Sequence, residues 1–427
     1  MHLATESGRV STNEIVPSPG ALGFVFGHIP ALDGLRGTAI LLVMISHFIW
    51  VPLVLDRLGW AGRTLGHVSE CGWIGVELFF VLSGFLITGI LVDSKGAENY
   101  LSSFFIRRAL RILPLSYSAL FLLLILCPLL GKMGLPFMPK RIHSVQLWYW
   151  FYAGNWGLYF GRSNDFFLHF WSLAVEEQFY LLWPWVVFAA SRRMLARICI
   201  AVALLAPIVR ILLYAKGLQV SDIFVFTSSH FDSLCLGALA ALLIRDENWA
   251  RRLLPKLDYF LYSGLALFCL VWAANGSLSV DDAPTFIFGG FPLAIFFTGI
   301  LLRAIAMTRP ESWFKQCLQA SWLRSCGKYS YAMYVLHFPL VVVYNCNLLP
   351  YLLRIIWHTS FHLWFDGAGM LGQAAVGFML ILNVLAACLF CFALGKLSWW
   401  GFEGPINGLK RHFRPRWRNN ITKPAES

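Results

Sequence analysis

Ten stretches of this chain stay apolar for long enough to cross roughly 30 Å of hydrocarbon, and no other feature constrains its fold as strongly. They lie near residues 37–55, 72–92, 112–130, 173–190, 197–215, 228–244, 258–275, 286–302, 331–350 and 372–395. The expected fold class is therefore all-α, a polytopic integral membrane protein of about ten transmembrane helices. Composition agrees: 58% of the 427 residues are hydrophobic and 13% are charged. A soluble globular chain carries about 25% charged residues. That difference excludes an ordinary cytosolic enzyme, a disordered chain and a secreted disulfide scaffold.

Charge sets the expected orientation. Lys and Arg number 34 against 22 Asp and Glu, a net charge of +12. In a polytopic chain this excess reflects topology and not nucleic acid, because basic residues gather in cytoplasmic loops. An eleventh candidate, 145–160, is rejected on that ground, since counting it as a span would put Arg192, Arg193 and Arg197 outside. With ten spans and both termini cytoplasmic, 25 of the 34 basic residues lie inside, 8 lie outside and Arg210 falls within a span. The 145–160 stretch, eight of whose sixteen residues are aromatic, is then expected on the outer side as an interfacial or re-entrant segment. It would serve as an aromatic belt or as a platform for a sugar or lipid acceptor. The expected divisions are a polar cytoplasmic segment (1–30), a transmembrane domain (31–405) and a basic cytoplasmic tail (406–427). Attraction to anionic headgroups accounts for the run from Lys410 to Arg418. No cleaved signal peptide is predicted. The ten cysteines read as small buried hydrophobes, and the Cys388/Cys391 spacing lacks a second Cys/His pair, so no metal is expected.

Ionisable groups at bilayer depth are costly and point to function. His47 follows Arg36 by eleven residues, which in a helix is about 16 Å of depth, close to the midplane. A histidine there is either a packed neutral ring or a general base whose neutral form tolerates burial. Spacings of three and four put Arg111 on one helical face with Arg108 and Arg107. They suit a grip on phosphate as well as they suit a topology anchor. The phosphate-loop fingerprint G-x-x-x-x-G-K-[ST] is not present. His169, Glu176 and Glu177 lie along the entry to the fourth span, where one carboxylate could orient His47 or bind a hydroxyl. His337 is a further candidate. Glu77, Asp232 and Arg210 are placed near span ends, where they can snorkel.

Six blocks in series carry a resemblance. They are LDGLRG at 32–37 followed by His47, GVELFFVLSGFLIT at 75–88, RRALRILP at 107–114, HFWSLAVEEQFYLLWP at 169–184, HFDSLCLGALAA at 230–241 and YSYAMYVLHFPL at 331–342. Together they resemble the acyltransferase 3 family of membrane-bound O-acyltransferases over about residues 31–405. The resemblance implies ten helices in the cell membrane, the bacterial cytoplasmic membrane above all. It also implies transfer of an acyl group, often acetyl, from cytoplasmic acyl-CoA to a hydroxyl of a carbohydrate or glycolipid acceptor. Carried over by position, His47 is the base, Arg36 its motif partner, and Arg108 and Arg111 the R-x-x-R element. Glu176 joins the catalytic set, Arg107 the CoA-binding set, and Trp171, Ser172, Glu177 and His337 the substrate-binding set. Phe231 stands where many relatives carry a polar or basic residue. With only about thirty residues after the last apolar run, no hydrolase-like domain is expected to follow it; if acceptor handling needs such a domain, a separate partner would have to supply it.

Such a transfer needs a base for the alcohol proton, a donor for the oxyanion and an electrostatic grip on the CoA phosphates. For the oxyanion the sequence offers Arg36 or a backbone amide exposed at a helix break at Ser83–Gly84. Direct attack is the preferred course and an acyl-histidine intermediate the alternative. A glycolipid or small-molecule transporter is the competing reading, and it predicts inverted repeats, which the sequence does not display. Oligomeric state is not legible.

Overall fold

The computed structural model describes residues 29–49, 55, 58–126, 146–161, 165–306, 313–343 and 369–417, and every regular element among them is helical. The ten longest helices are α1 (Pro30–Ile49), α2 (Trp73–Ser94), α3 (Tyr100–Phe121), α4 (Phe170–Ala189), α5 (Arg192–Ala215), α6 (Phe231–Leu243), α7 (Leu257–Asn275), α8 (Ala283–Ala306), α9 (Ser321–Val343) and α10 (Gly369–Ser398). Each occupies one of the ten apolar stretches. Seven helical segments are long and apolar enough to cross a membrane: 30–49, 59–94, 100–126, 192–215, 247–275, 283–306 and 376–413. The other three helices fall short for identifiable reasons. α4 carries Glu176, Glu177 and Gln178 in mid-helix, α6 has 13 residues after a 3₁₀ turn at Thr227–His230, and the described part of α9 opens on polar residues. The N-terminal segment 1–28, the chain from 344 to 368 and the last ten residues lie outside the described part, as do Cys127 and Cys346.

α2 is central and largely buried, flanked by α1 and α6, while α9 closes on α1 and α10, and α7 pairs with α8. α7 and α10 present rows of Leu, Phe and Ile outward, among them Leu267, Leu270, Phe378, Ile381, Leu385 and Leu389. Water would not tolerate so continuous an apolar surface; lipid would.

Without a hydrophobic drive between helices in lipid, close backbone approach does the packing, and glycine permits it. A Cβ on Gly84 of α2 would sit 1.9 Å from the Leu234 carbonyl oxygen of α6, and one on Gly237 of α6 would sit 2.0 Å from that of Val81. The two helices therefore meet glycine to backbone, reciprocally. Gly237→Val has no flexible side chain to displace, so it should abolish recovery of a monodisperse, folded protein from detergent, read by size-exclusion chromatography. Recovery at the unaltered level would show that the contact is looser than this. The same pair corrects an expectation. α2 runs unbroken through Ser83 and Gly84, so no free amide is exposed there, and Gly84 serves packing.

A second correction concerns Glu77, Asp232 and Arg210, which do not snorkel. All three are buried, with Arg210 and Asp232 wholly so. Arg210 donates to Asp232 Oδ2 (2.7 Å) and to the Ser229 carbonyl (2.9 Å), tying α5 to α6. His230 Nδ1 lies 2.7 Å from Glu77 Oε1, its Nε2 lies 2.6 Å from the Phe224 carbonyl, and Ser233 donates to Glu77 Oε2. At one end of the same helices Arg245 forms a two-pronged pair with Asp93, at 2.7 and 2.6 Å.

The 146–160 stretch forms two short helices, Gln146–Trp150 and Gly154–Tyr159, joined at Tyr152 with φ of 51°. Neither can span a bilayer. They lie against α4, where Gln178 donates to the Tyr152 carbonyl and to Asn155 Oδ1, each at 3.0 Å.

Candidate active site

Three cavities follow one another through the helix packing, each sharing wall residues with the next. The first, about 200 Å³, is ringed by Arg36, Arg107, Arg108 and Arg111. The second, about 100 Å³, keeps Arg36, Arg108 and Arg111 on one side and adds Ser83, Ser172, Glu176, Tyr180 and Tyr334. The third, about 770 Å³, shares Val76 and Tyr334 with the second and holds His47, His169, Trp73, Trp171 and Phe338. Arg36 and His47 thus open onto opposite ends of the series, carried there by one helix.

Local structure explains each placement. Residues three and four apart share a helix face, so Arg111 reaches the same walls as Arg108, while Arg107, one position round, reaches only the first cavity. Arg36 is 3.6 Å from Asp33, three residues back. Arg107, Arg108 and Arg111 form no ion pair among the described residues, and the lining of the first cavity contains no carboxylate. The Arg108 guanidinium stands over the Tyr180 ring at 5.2 Å.

In the middle cavity Glu176 is held by two hydroxyls. Ser83 Oγ donates to Oε1 at 2.7 Å, and the Tyr180 hydroxyl lies 2.9 Å from Oε2 and 3.0 Å from Ser83 Oγ. Tyr180 follows Glu176 by one turn of α4, and Ser83 comes across from α2. Glu177 is absent from the walls of all three cavities, and its Oε1 has no hydrogen-bond partner among the described residues. Trp171 and Ser172 divide between the third and second cavities. Tyr334 stands at the junction, its hydroxyl in contact with Ser172 Oγ and 3.0 Å from the His169 carbonyl.

His47 Nδ1 lies 2.8 Å from the Val43 carbonyl, one turn back. A carbonyl only accepts, so in the neutral ring Nδ1 carries the proton and Nε2 keeps the lone pair. The ring is thus oriented by its own helix, while the oxygens of Glu176 are engaged by Ser83 and Tyr180. His337 lies beside His47 (ring centroids 5.2 Å apart) and His169 beside His337 (5.0 Å). His337 is fully buried and bonds the Tyr334 carbonyl at 2.7 Å. The three rings form no group able to hold a metal among the described residues.

A family model described as an acyltransferase domain matches the chain over residues 29–400. The chain belongs to the acyltransferase 3 family. Within this family it is similar to YrhL of Bacillus subtilis (30% identity, covering 74% of this chain and 49% of that protein). It is also similar to the peptidoglycan O-acetyltransferase OatA of Listeria monocytogenes (26%, 74% and 50%) and the O-acetyltransferase OatA of Staphylococcus aureus (29%, 74% and 51%). The chain spans about half the length of these relatives. No solved structure matches it. Against this acyltransferase 3 membership, the blocks that carried the resemblance converge: 32–47, 75–88, 107–114, 169–184 and 331–342 all contribute walls to the cavity series. Block 230–241 does not. It supplies the buried Arg210–Asp232 and Glu77–His230 network and the glycine contact with α2. Sequence reasoning considered Ser83 only for its backbone amide and passed over its hydroxyl, Tyr180 and Tyr334, and only a three-helix contact identifies them.

Proposed function

We propose that this chain transfers an acetyl group from acetyl-CoA to a hydroxyl of a carbohydrate acceptor, across a bacterial cytoplasmic membrane that it crosses about ten times with both termini inside. One observation carries the reading. The cavities grade from an arginine ring with no carboxylate in its lining through a small polar waist to a wide, aromatic chamber around His47, and adjacent cavities share walls. A thioester donor has that polarity, with phosphates at one end and a neutral acyl group at the other. The names of the OatA relatives support an O-acetyl product, and the peptidoglycan relative makes a cell-wall glycan the first acceptor to test.

In this mechanism Arg107, Arg108 and Arg111 hold the CoA phosphates from the cytoplasmic side, and the arm runs through the waist. The acceptor hydroxyl enters the wide chamber, where Trp73 and Trp171 offer flat faces to a sugar ring. His47 Nε2 takes the hydroxyl proton as the oxygen attacks the thioester carbon. The C–S bond then breaks, and the imidazolium returns the proton to the departing thiolate. Acetyl-CoA and an alcohol become an ester and CoA, and the histidine is restored. Arg36 fits the donor grip better than the oxyanion. It is eleven residues from His47, about 16 Å along the axis, and helical side chains lean toward the N-terminus, away from it. The Tyr334 hydroxyl is the polar group at the junction where that charge would develop.

Purified protein in detergent, given labelled acetyl-CoA and a panel of sugar acceptors, should release CoA only when an acceptor is present. Movement of a glycolipid without CoA release would replace this reading with a transporter. Glu176, held in the waist by Ser83 and Tyr180, is placed to accept from an amide of the donor arm. A hydrogen bond to a charged group contributes about 1.5–3 kcal/mol, so Glu176→Gln should lower kcat/KM for acetyl-CoA roughly 10- to 100-fold. An unchanged kcat/KM would remove Glu176 from the site.

A further inference from the structure

By composition, residues 410–418 read as a tether drawn to anionic lipid. The structure instead makes the described part of that run a strap bonded onto the start of α3, two turns from the arginine cluster. Ser103 Oγ donates to the Phe413 carbonyl (2.9 Å), and Asn99 Nδ2 donates to the Arg414 carbonyl (3.0 Å). The Arg416 amide donates to Asn99 Oδ1 (2.8 Å), and the Glu98 amide donates to the Arg416 carbonyl (3.0 Å). Four bonds of this kind fix a backbone path, which a nonspecific lipid contact does not need. Their consequence is that Lys410 and Pro415 become walls of the first cavity, facing Arg36, Arg107, Arg108 and Arg111. Lys410 is half-buried there and forms no ion pair among the described residues.

Five cations around one cavity without a lining carboxylate repel one another, an arrangement that an anionic ligand relieves. We propose that Lys410 is a fifth phosphate-binding residue of the donor site, and that the strap at 409–417 is the element that positions it. The ligand chemistry is a polyphosphate of the CoA type, with a 3′-phosphate and a diphosphate to share among the five cations. This inference rests on the donor reading above. The strap supplies a point charge on a flexible stem where α3 supplies planar forks, and the two suit different phosphates of one ligand.

The test uses the full chain purified in neutral detergent, with CoA and pantetheine as probes in equilibrium dialysis and acetyl-CoA turnover as a second readout. Lys410→Ala should weaken CoA binding about tenfold, the loss of one charge-assisted bond. Pantetheine binding should stay unchanged, and Lys410→Arg should keep most of the CoA affinity. Asn99→Ala, which removes two strap bonds without touching the cavity lining, should weaken CoA in the same direction. If the unaltered protein binds and turns over acetyl-CoA while Lys410→Ala binds CoA equally well, the strap inference falls and the donor reading stands. If Lys410→Ala alters only the response to vesicles containing phosphatidylglycerol, the lysine serves lipid and the inference falls. If the unaltered protein binds no CoA, both fall together.

Discussion

His47→Ala should remove acetyl transfer almost entirely, by roughly 10³- to 10⁴-fold in kcat, the loss expected when a positioned general base is taken away. The variant should still insert, extract and bind CoA normally. His47 lies in the last turn of the described α1 and bonds the Val43 carbonyl of that helix, whereas the close approach of α1 to its neighbours is made at Gly34 and Gly37, toward the helix's other end. The split between binding and turnover is what identifies the role. A ring that merely filled space would cost affinity or yield as well as rate. The neighbouring rings sharpen the test, because His337 and His169 each lie within about 5.2 Å, centroid to centroid, of another ring in the cluster. If either could take the proton instead, His47→Ala would retain measurable turnover, and the assignment of the base would move to it. Single His169→Ala and His337→Ala variants, run beside His47→Ala, make that outcome visible.

Parts of this site were legible in the sequence because they are local. Arg36 and His47 lie on one helix, so their spacing converts directly into a separation along its axis, and the R-x-x-R spacing converts into a shared face. Each of the ten apolar stretches likewise contains a helix among the described residues, since length and hydropathy act on one segment at a time. What depends on several segments was not legible. Ser83 and Glu176 are 93 residues apart and meet across α2 and α4. Tyr334 matters because it stands between two cavities, a property no residue has alone. The strap at 409–417 looked like a basic run drawn to anionic headgroups, because composition does not reveal the four bonds that hold it to Glu98, Asn99 and Ser103. The misreading of Ser83–Gly84 has a similar cause. Glycine in a helix suggests a break by propensity, but between packed membrane helices it marks close approach. Arg210, Asp232 and Glu77 were assigned to helix ends on the assumption that a charge near an end turns outward. Partners on other helices made the opposite arrangement favourable.

That last network yields the other large effect. Arg210→Met should destabilise the folded protein by about 3–5 kcal/mol, the cost of leaving a buried charge without its partner. Asp232 would keep its contact with the Ser233 amide (3.0 Å) but lose the guanidinium at 2.7 Å, with Glu77 and His230 packed close by. Helices α5 and α6 would lose their tie, and α6 carries the Gly237 contact that seats it on α2. The measurable result is a steep fall in the detergent melting temperature and in yield. Per folded molecule, turnover should be little changed, because neither residue lines a cavity in the series. Replacing both partners, Arg210→Met with Asp232→Leu, removes the unpaired charge and should recover most of the lost stability, since a buried pair exchanged for apolar groups of similar size is often neutral. The single variant melting with the parent protein would mean that water or lipid headgroups reach the pair. The double variant melting as low as the single one would mean that the hydrogen bond from Arg210 to the Ser229 carbonyl, more than the ion pair itself, ties α5 to the start of α6.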